Sequence, residues 1–301
     1  MNGPLAQALR RKRPLILDGA LGSELRRRGL KTDLPLWSAA PLIDAPQAVM
    51  DLHLEYIAAG ADIITTDTFR TTARTFRRAA APDLSRELTH VAVGLCHRAC
   101  AHFPDREVLI AGSMAPLEDC YRPDLVPPQE DLIAEHTVQA ERLASSGVDF
   151  LILETMNTIR EASAALLAAS ATGKEVVVSF LCRGHGRLYG GEPLEEAVRV
   201  LAPLEPAVFS VNCAPPPVIS EAITALRSST PLPLAVYANV GRAGGEGEME
   251  EFVSTVNEEE YAGFAKEWAR SGVAIIGGCC GTTPAYIEKL RGLNRQDAKK
   301  E

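Results

Sequence analysis

No stretch of this chain approaches the roughly 20 consecutive apolar residues that a membrane-spanning helix needs. The first apolar run, "PLILDGA" (14–20), is also too brief for the core of a secretory leader. A cytoplasmic protein without a membrane partner is therefore expected. Positive charge is scarce as well: 31 Lys and Arg against 39 Asp and Glu leave a formal net charge of -8. Because phosphate neutralisation requires clustered Lys and Arg, no nucleic-acid partner is expected, and the basic cluster Arg10 to Arg13 reads as a solvated N-terminal turn. Cysteines number only seven, an odd count scattered over the whole chain, which excludes a secreted disulfide framework and predicts reduced thiols. No C-x₂-C pair is present. The nearest approach to a dinucleotide fingerprint, "GHGRLYGG" (184–191), fails because Tyr189 occupies the final glycine position. No linker, low-complexity segment or composition shift divides the chain.

What is present is ordinary in bulk and regular in pattern. Hydrophobic residues make up 46% and charged residues 23% of the 301 positions, as in a globular protein. Short apolar runs recur at 15–19, 61–68, 107–113, 148–155, 175–181, 207–213, 234–240 and 274–280. Between them lie amphipathic stretches such as "AVMDLHLEYIAAG", "LIAEHTVQAERLASSG", "TIREASAALLAASATG" and "YAGFAKEWARSG", each ending at Gly as helices commonly do. Strands that are apolar throughout and alternate with helices indicate a parallel sheet covered on both faces. Eight such units predict one α/β domain over residues 1–301, a single (β/α)₈ TIM barrel, with 1–13 and 293–301 loosely ordered. An open doubly wound sheet is the runner-up. The Pro-rich segment 121–131 reads as a loop over one barrel mouth. The acidic segment 244–260 reads as a solvated loop or a lid.

Active sites of such barrels form at the C-terminal ends of the strands. There the sequence places Asp18, Asp67, Glu154, Cys213, Asn239 and the adjacent pair Cys279 and Cys280. Three cysteines on the sixth and eighth strands form a soft ligand set suited to Zn²⁺. Cys213 lies 66 residues before Cys279, so a metal would be held by tertiary structure. With three thiolates the fourth position stays open, the mark of a catalytic site. A three-thiolate zinc, carrying about one negative charge, is a poor Lewis acid but holds a further thiolate well. The natural reaction is attack of that sulfur on an activated methyl group. Each carboxylate alone could instead cap a helix. Cys96 and Cys100, one turn apart in "GLCHRACAHF", read as core packing. Cys120 and Cys182 have no assigned role, and packing or incidental exposure is preferred for both.

The segments "DGALGSEL" (18–25), "TDTF" (66–69), "ETMNTIREA" (154–162), "VNCAPP" (211–216), "YANVG" (237–241) and "GGCCGTTP" (277–284) occur in an order that resembles the zinc-dependent homocysteine S-methyltransferases. That family includes betaine- and S-methylmethionine-using enzymes and the homocysteine module of cobalamin-dependent methionine synthase. The resemblance covers nearly the whole chain, and the "GGCCGT" plus "NC" combination is its specific part. It implies a barrel in which Cys213, Cys279 and Cys280 bind Zn²⁺, homocysteine sulfur completes the tetrahedron, and methionine is formed. It also implies that Asp18 and Glu154 contact the homocysteine amino group, and that Asn239 takes the fourth metal position when substrate is absent. Departures concern the methyl donor. "GSMAPLEDCYRPDLVP" (112–127) replaces a proline-tyrosine-glycine segment of many relatives, Asp67 stands where Asn is common, and Ala238 where Pro is usual. The extra carboxylate at Asp67 suits a cationic donor such as S-methylmethionine, S-adenosylmethionine or a betaine, although it could equally cap a helix. The expected partners are homocysteine and the donor; a homo-oligomer stays open. The alternatives are methyl transfer to another thiol or selenol such as selenocysteine, and a non-catalytic zinc-binding or redox-sensing barrel.

Overall fold

The computed structural model of the protein describes residues 3–242 and 253–297. All eight apolar runs become parallel strands: β1 (Leu15–Ile16), β2 (Ile63–Thr65), β3 (Leu109–Met114), β4 (Phe150–Met156), β5 (Val176–Gly184), β6 (Val208–Asn212), β7 (Leu234–Ala238) and β8 (Ile275–Gly278). Their spatial order is β1-β8-β7-β6-β5-β4-β3-β2. The ring is joined between β1 and β2 by a parallel bridge from Leu17 to Ile63. Two hydrogen bonds reinforce this thin seam, Asp62 N–H to the Ile16 carbonyl at 2.7 Å and Asp18 N–H to the Ile63 carbonyl at 2.9 Å. An open doubly wound sheet would keep two unjoined edges, so the runner-up architecture does not apply.

Side chains on each strand alternate between two apolar layers, which is why the runs read as continuously hydrophobic. Leu15, Leu17, Ile63, Phe150, Ile152, Val208 and Ile275 fill the barrel interior. Their neighbours Ile16, Ile64, Leu151, Leu153, Phe209 and Ile276 pack outward against the helices. The outer helices end as their sequences predict: the helix Pro46–Ala59 stops at Gly60, whose φ of 119° is left-handed and costs a glycine little.

The start of the chain is packed where a loose end was expected. A short helix, Pro4–Ala8, buries Leu5 and Ala8 in the interior layer and so plugs the barrel from below. Its free N-terminal amides are satisfied by Glu175, which accepts from Leu5 N–H at 2.9 Å and Ala6 N–H at 3.1 Å. Arg13 pairs with Asp62 at 2.8 Å. At the other end the last helix runs from Pro284 to Asp297, and 298–301 lie outside the described residues. After β7 a two-stranded antiparallel ribbon pairs Gly241–Arg242 with Val253–Ser254. Asn257 then caps the helix Glu258–Arg270 through a reciprocal capping box with Glu260. The acidic stretch expected as a loop or lid has its part 244–252 outside the described residues. Among the described residues no helix is long and apolar enough to cross a membrane.

Candidate metal centre

Going up the barrel two residues at a time, interior positions change from apolar to polar to reactive. Ile152 gives way to Glu154 on β4, Ala235 to Tyr237 and then Asn239 along β7, and Ile275 to Gly277 and then Cys279 along β8. The C-terminal mouth therefore collects the chemistry by the same period of two that fills the core below it.

Cys213, Cys279 and Cys280 converge: their three sulfurs all lie within 4.8 Å of one another, with Cys213 Sγ 3.7 Å from Cys280 Sγ. Three local devices produce this. Cys213 takes a left-handed backbone, φ 56°, strain that a non-glycine residue holds only where surrounding structure enforces it. Its N–H donates to the Tyr237 carbonyl at 3.1 Å, and Cys279 N–H to that of Ala238 at 2.9 Å. On β8, a side chain at Gly278 would put Cβ 2.3 Å from Thr282 Oγ1. That hydroxyl donates to the Cys279 carbonyl at 2.7 Å, and Gly281, φ 81°, turns the chain away. Finally, Asn239 brackets the cluster. Its Nδ2 donates to the Cys213 carbonyl at 3.0 Å and its Oδ1 accepts from Cys280 N–H at 3.1 Å. Both ends of the amide are thus engaged with backbone of the thiol loops.

The thiols restrain one another's ionisation. Hydrogen bonds from Cys279 and Cys280 pull the Cys213 thiol well below its ordinary value. The same contact with Cys213 pushes Cys279 and Cys280 well above theirs. Three adjacent sulfurs cannot all be anionic without a cation among them. The donor set therefore fits a thiophilic divalent metal ion.

Asp18 and Glu154 sit within electrostatic reach of each other, and Glu154 of Cys213. Asp18 accepts from Thr65 N–H at 2.7 Å and from Thr65 Oγ1 at 3.1 Å, and burial still drives its pKa well above the ordinary carboxylate value. Burial likewise lifts Glu154 to about 7, although Ser113 Oγ donates to its Oε1. Neither acid is a helix cap. The helix Ile159–Ser170 is capped by Thr158, and the helix Gly22–Arg27 has no side-chain cap. Glu154 is aimed by a local irregularity in which the register between β4 and β5 shifts from Leu153 to Met156. Thr155 there adopts φ 54°, held by its N–H to Asn212 Oδ1 at 3.0 Å.

Asp67 is 1% exposed, and burial raises its pKa to about 7, with Ser38 the polar side chain that opposes the rise. It does not cap the following helix, Ala73–Arg78, because Thr72 does. Its charge bears on Cys96, as that of Asp18 does, and the Cys96 sulfur lies 3.5 Å from His53 Nε2 on the outer side of β2. Cys96 is buried and Cys182 packs in the outer layer, while Cys100 is half-buried. Cys120 packs with Leu181 and Cys213, with Phe69, Tyr189, Cys279 and Cys280 around them. Sequence reasoning missed Tyr121, whose Oη reaches Cys213 Sγ at 3.5 Å and whose ring meets Tyr189 edge-on at 5.4 Å. The one available signal was its place in the Pro-rich loop expected over the mouth. Ser113, Thr65 and Asn212 carried no signal, since a small polar residue at a strand end fits many turns.

Residues 15–293 match the family model described as homocysteine S-methyltransferase. The chain is 32% identical over 311 residues to the homocysteine S-methyltransferase of Escherichia coli (strain K12), an overlap covering 96% of this chain and 98% of that protein. It is 28% identical to the selenocysteine methyltransferase of Astragalus bisulcatus, over 93% of this chain and 91% of that one. The solved structure of the homocysteine methyltransferase MmuM from Escherichia coli, in its metallated form, superposes with a TM-score of 0.84 at 30% identity. That match covers 96% of this chain and 99% of the other.

Proposed function

The chain belongs to the homocysteine S-methyltransferase family, and from that premise we propose that it methylates the sulfur of homocysteine, using Zn²⁺ held by Cys213, Cys279 and Cys280 and a cationic methyl donor. The observation that carries this reading is the convergence of three sulfurs within 4.8 Å. When bound, the zinc ion supplies the positive charge that keeps thiols ionised at neutral pH while leaving sulfur nucleophilic.

The chain's own residues do the rest. Asp18 and Glu154, met by the neutral donors Thr65 and Ser113, take the acceptor's ammonium group, whose charge makes their ionised forms favourable. Asn239 holds the backbones of Cys213 and Cys280 at fixed separation, so the sulfurs need no rearrangement. Phe69, Tyr121 and Tyr189 present aromatic surface beside the thiols. Ring faces attract cations by about 0.5–2 kcal/mol, which favours a sulfonium or quaternary ammonium donor. In the transfer, a sulfur lone pair of the acceptor forms the new carbon–sulfur bond. The donor's bond to its methyl carbon breaks with both electrons staying on the donor, which leaves as a neutral sulfide or amine. No general acid is required for such a leaving group.

A selenol acceptor is the second reading, favoured by the likeness to a selenocysteine methyltransferase. The test is metal analysis followed by incubation with homocysteine or selenocysteine and a panel of onium donors, reading methylated product. Stoichiometric zinc and methionine formation are expected. A protein without metal, in which Cys279→Ser changes nothing, would refute the proposal.

A further inference from the structure

Tyr121 reaches the thiols from a loop that is tied down at consecutive points. Leu117 N–H donates to Glu161 Oε1 at 2.8 Å. The Glu118 carboxylate, 5% exposed, pairs with Arg74 at 3.1 Å and with Arg78 Nη2 at 2.7 Å, while its carbonyl accepts from Arg70 Nη1 at 3.2 Å. The Cys120 carbonyl accepts from Asn157 Nδ2 at 2.9 Å, and Tyr121 N–H donates to Asp119 Oδ1 at 2.9 Å. Asn157 also accepts, through its own carbonyl, the N–H of Gly190 at 2.8 Å, so one residue fixes both loops whose tyrosines meet edge-on. The approach of Tyr121 Oη to Cys213 Sγ at 3.5 Å is therefore a built contact of an anchored loop. No cation is among the groups that bear most on Cys213, and the acid within electrostatic reach of it is Glu154. A further thiolate arriving from a substrate makes the mouth more negative still.

We propose that Tyr121 is a positioning residue for the acceptor: its hydroxyl donates a hydrogen bond to the Cys213 thiolate and so offsets the charge that the acceptor's sulfur brings. This rests on the proposed zinc-thiolate reading. The role belongs to the hydroxyl and is separable from any contact of the ring with the donor. A hydrogen bond to a charged sulfur lowers the energy of its lone pairs, so losing it should move the thiolate-to-metal absorption to longer wavelength.

The test compares the full-length parent, Tyr121→Phe and Glu118→Gln, each loaded with Co²⁺ for absorption and with Zn²⁺ for kinetics. In Tyr121→Phe the charge-transfer band is expected to move to longer wavelength. The KM for homocysteine should rise about tenfold, the loss of one charge-assisted hydrogen bond, with the donor KM unchanged within about twofold because the ring remains. Glu118→Gln, which weakens the loop's anchor, should move both readouts in the same direction by less. An unmoved band with an unchanged acceptor KM, or acceptor and donor KM rising together with the band unmoved, would overturn the role. A parent that binds no metal or transfers no methyl would instead fail the zinc-thiolate reading itself, and the tyrosine's role with it; that outcome is recognised before any variant is compared.

Discussion

The two ends of this barrel are built from the same alternating strands and are finished in opposite ways. At the lower end Leu5 is wholly buried, Glu175 answers two free helix amides, and Asp62 is paired with Arg13. At the upper end Asp18 and Glu154 are met by neutral donors, three thiols resist joint ionisation, and Cys213 and Thr155 hold left-handed backbone. Closed interactions below contribute stability; open ones above cost stability and wait for ligands. If that contrast holds, changes at the mouth should damage activity while sparing or even raising stability, and changes at the base should do the reverse.

The largest effect is expected from Cys279→Ser. Removing a ligand should weaken metal binding by more than the roughly 10- to 100-fold typical of losing a ligand's outer partner, and abolish detectable methyl transfer. The circular dichroism spectrum should stay that of the parent. A mutant that retained metal and turnover would break the comparison at its centre. Leu5→Ala tests the opposite end: emptying a fully buried side chain should cost about 2–5 kcal/mol of unfolding free energy. Its kcat/KM, measured well below the melting temperature, should match the parent's.

How much of this contrast was legible depends on whether a feature is periodic. The strands were readable because apolar side chains recur on both faces, and the reactive mouth because Asp18, Glu154, Cys213 and Cys279 each end such a run. The plug Pro4–Ala8 was not, since five residues carry too little periodicity to separate a packed helix from a frayed end. Asp67 shows a different limit. The groups that bear on it or feel its charge, Ser38 and Cys96, lie far off in the chain, so no local pattern announces the pocket that buries it. Tyr121 is legible only as part of a loop, because its contact with Cys213 crosses 92 residues of sequence.

Glu154→Gln sharpens the comparison because its two readouts should move in opposite directions. Losing the charge that meets the acceptor's ammonium should raise the homocysteine KM roughly ten- to hundredfold, about 1.5–3 kcal/mol for a hydrogen bond to a charged group. Metal-free stability should respond with the other sign. The folded carboxyl titrates at about 7 against 4.5 for the free group, so the parent loses stability as pH rises from 4.5 through 7. The variant, which cannot ionise, should be more stable than the parent at pH 8 and show no such gain at pH 4. Denaturant titrations of both proteins at the two pH values measure this. A gain independent of pH would mean that packing, rather than charge, sets the effect.

The smallest effect is expected from Glu175→Ala at the base. The carboxylate there accepts from two amides at the N-terminus of the short helix Pro4–Ala8, the position where negative charge also complements the helix dipole. Its loss should lower unfolding free energy by about 1 kcal/mol, the usual worth of an N-terminal cap. The denaturant midpoint should fall with no change in slope, since the same surface is exposed on unfolding. Methyl transfer should be unaffected, because the plug lies at the opposite end of the interior from the thiols. A fall in kcat with intact stability would mean that the apolar layers between Leu5 and Tyr237 transmit the base's geometry to the mouth, and the two ends would then have to be treated as one unit.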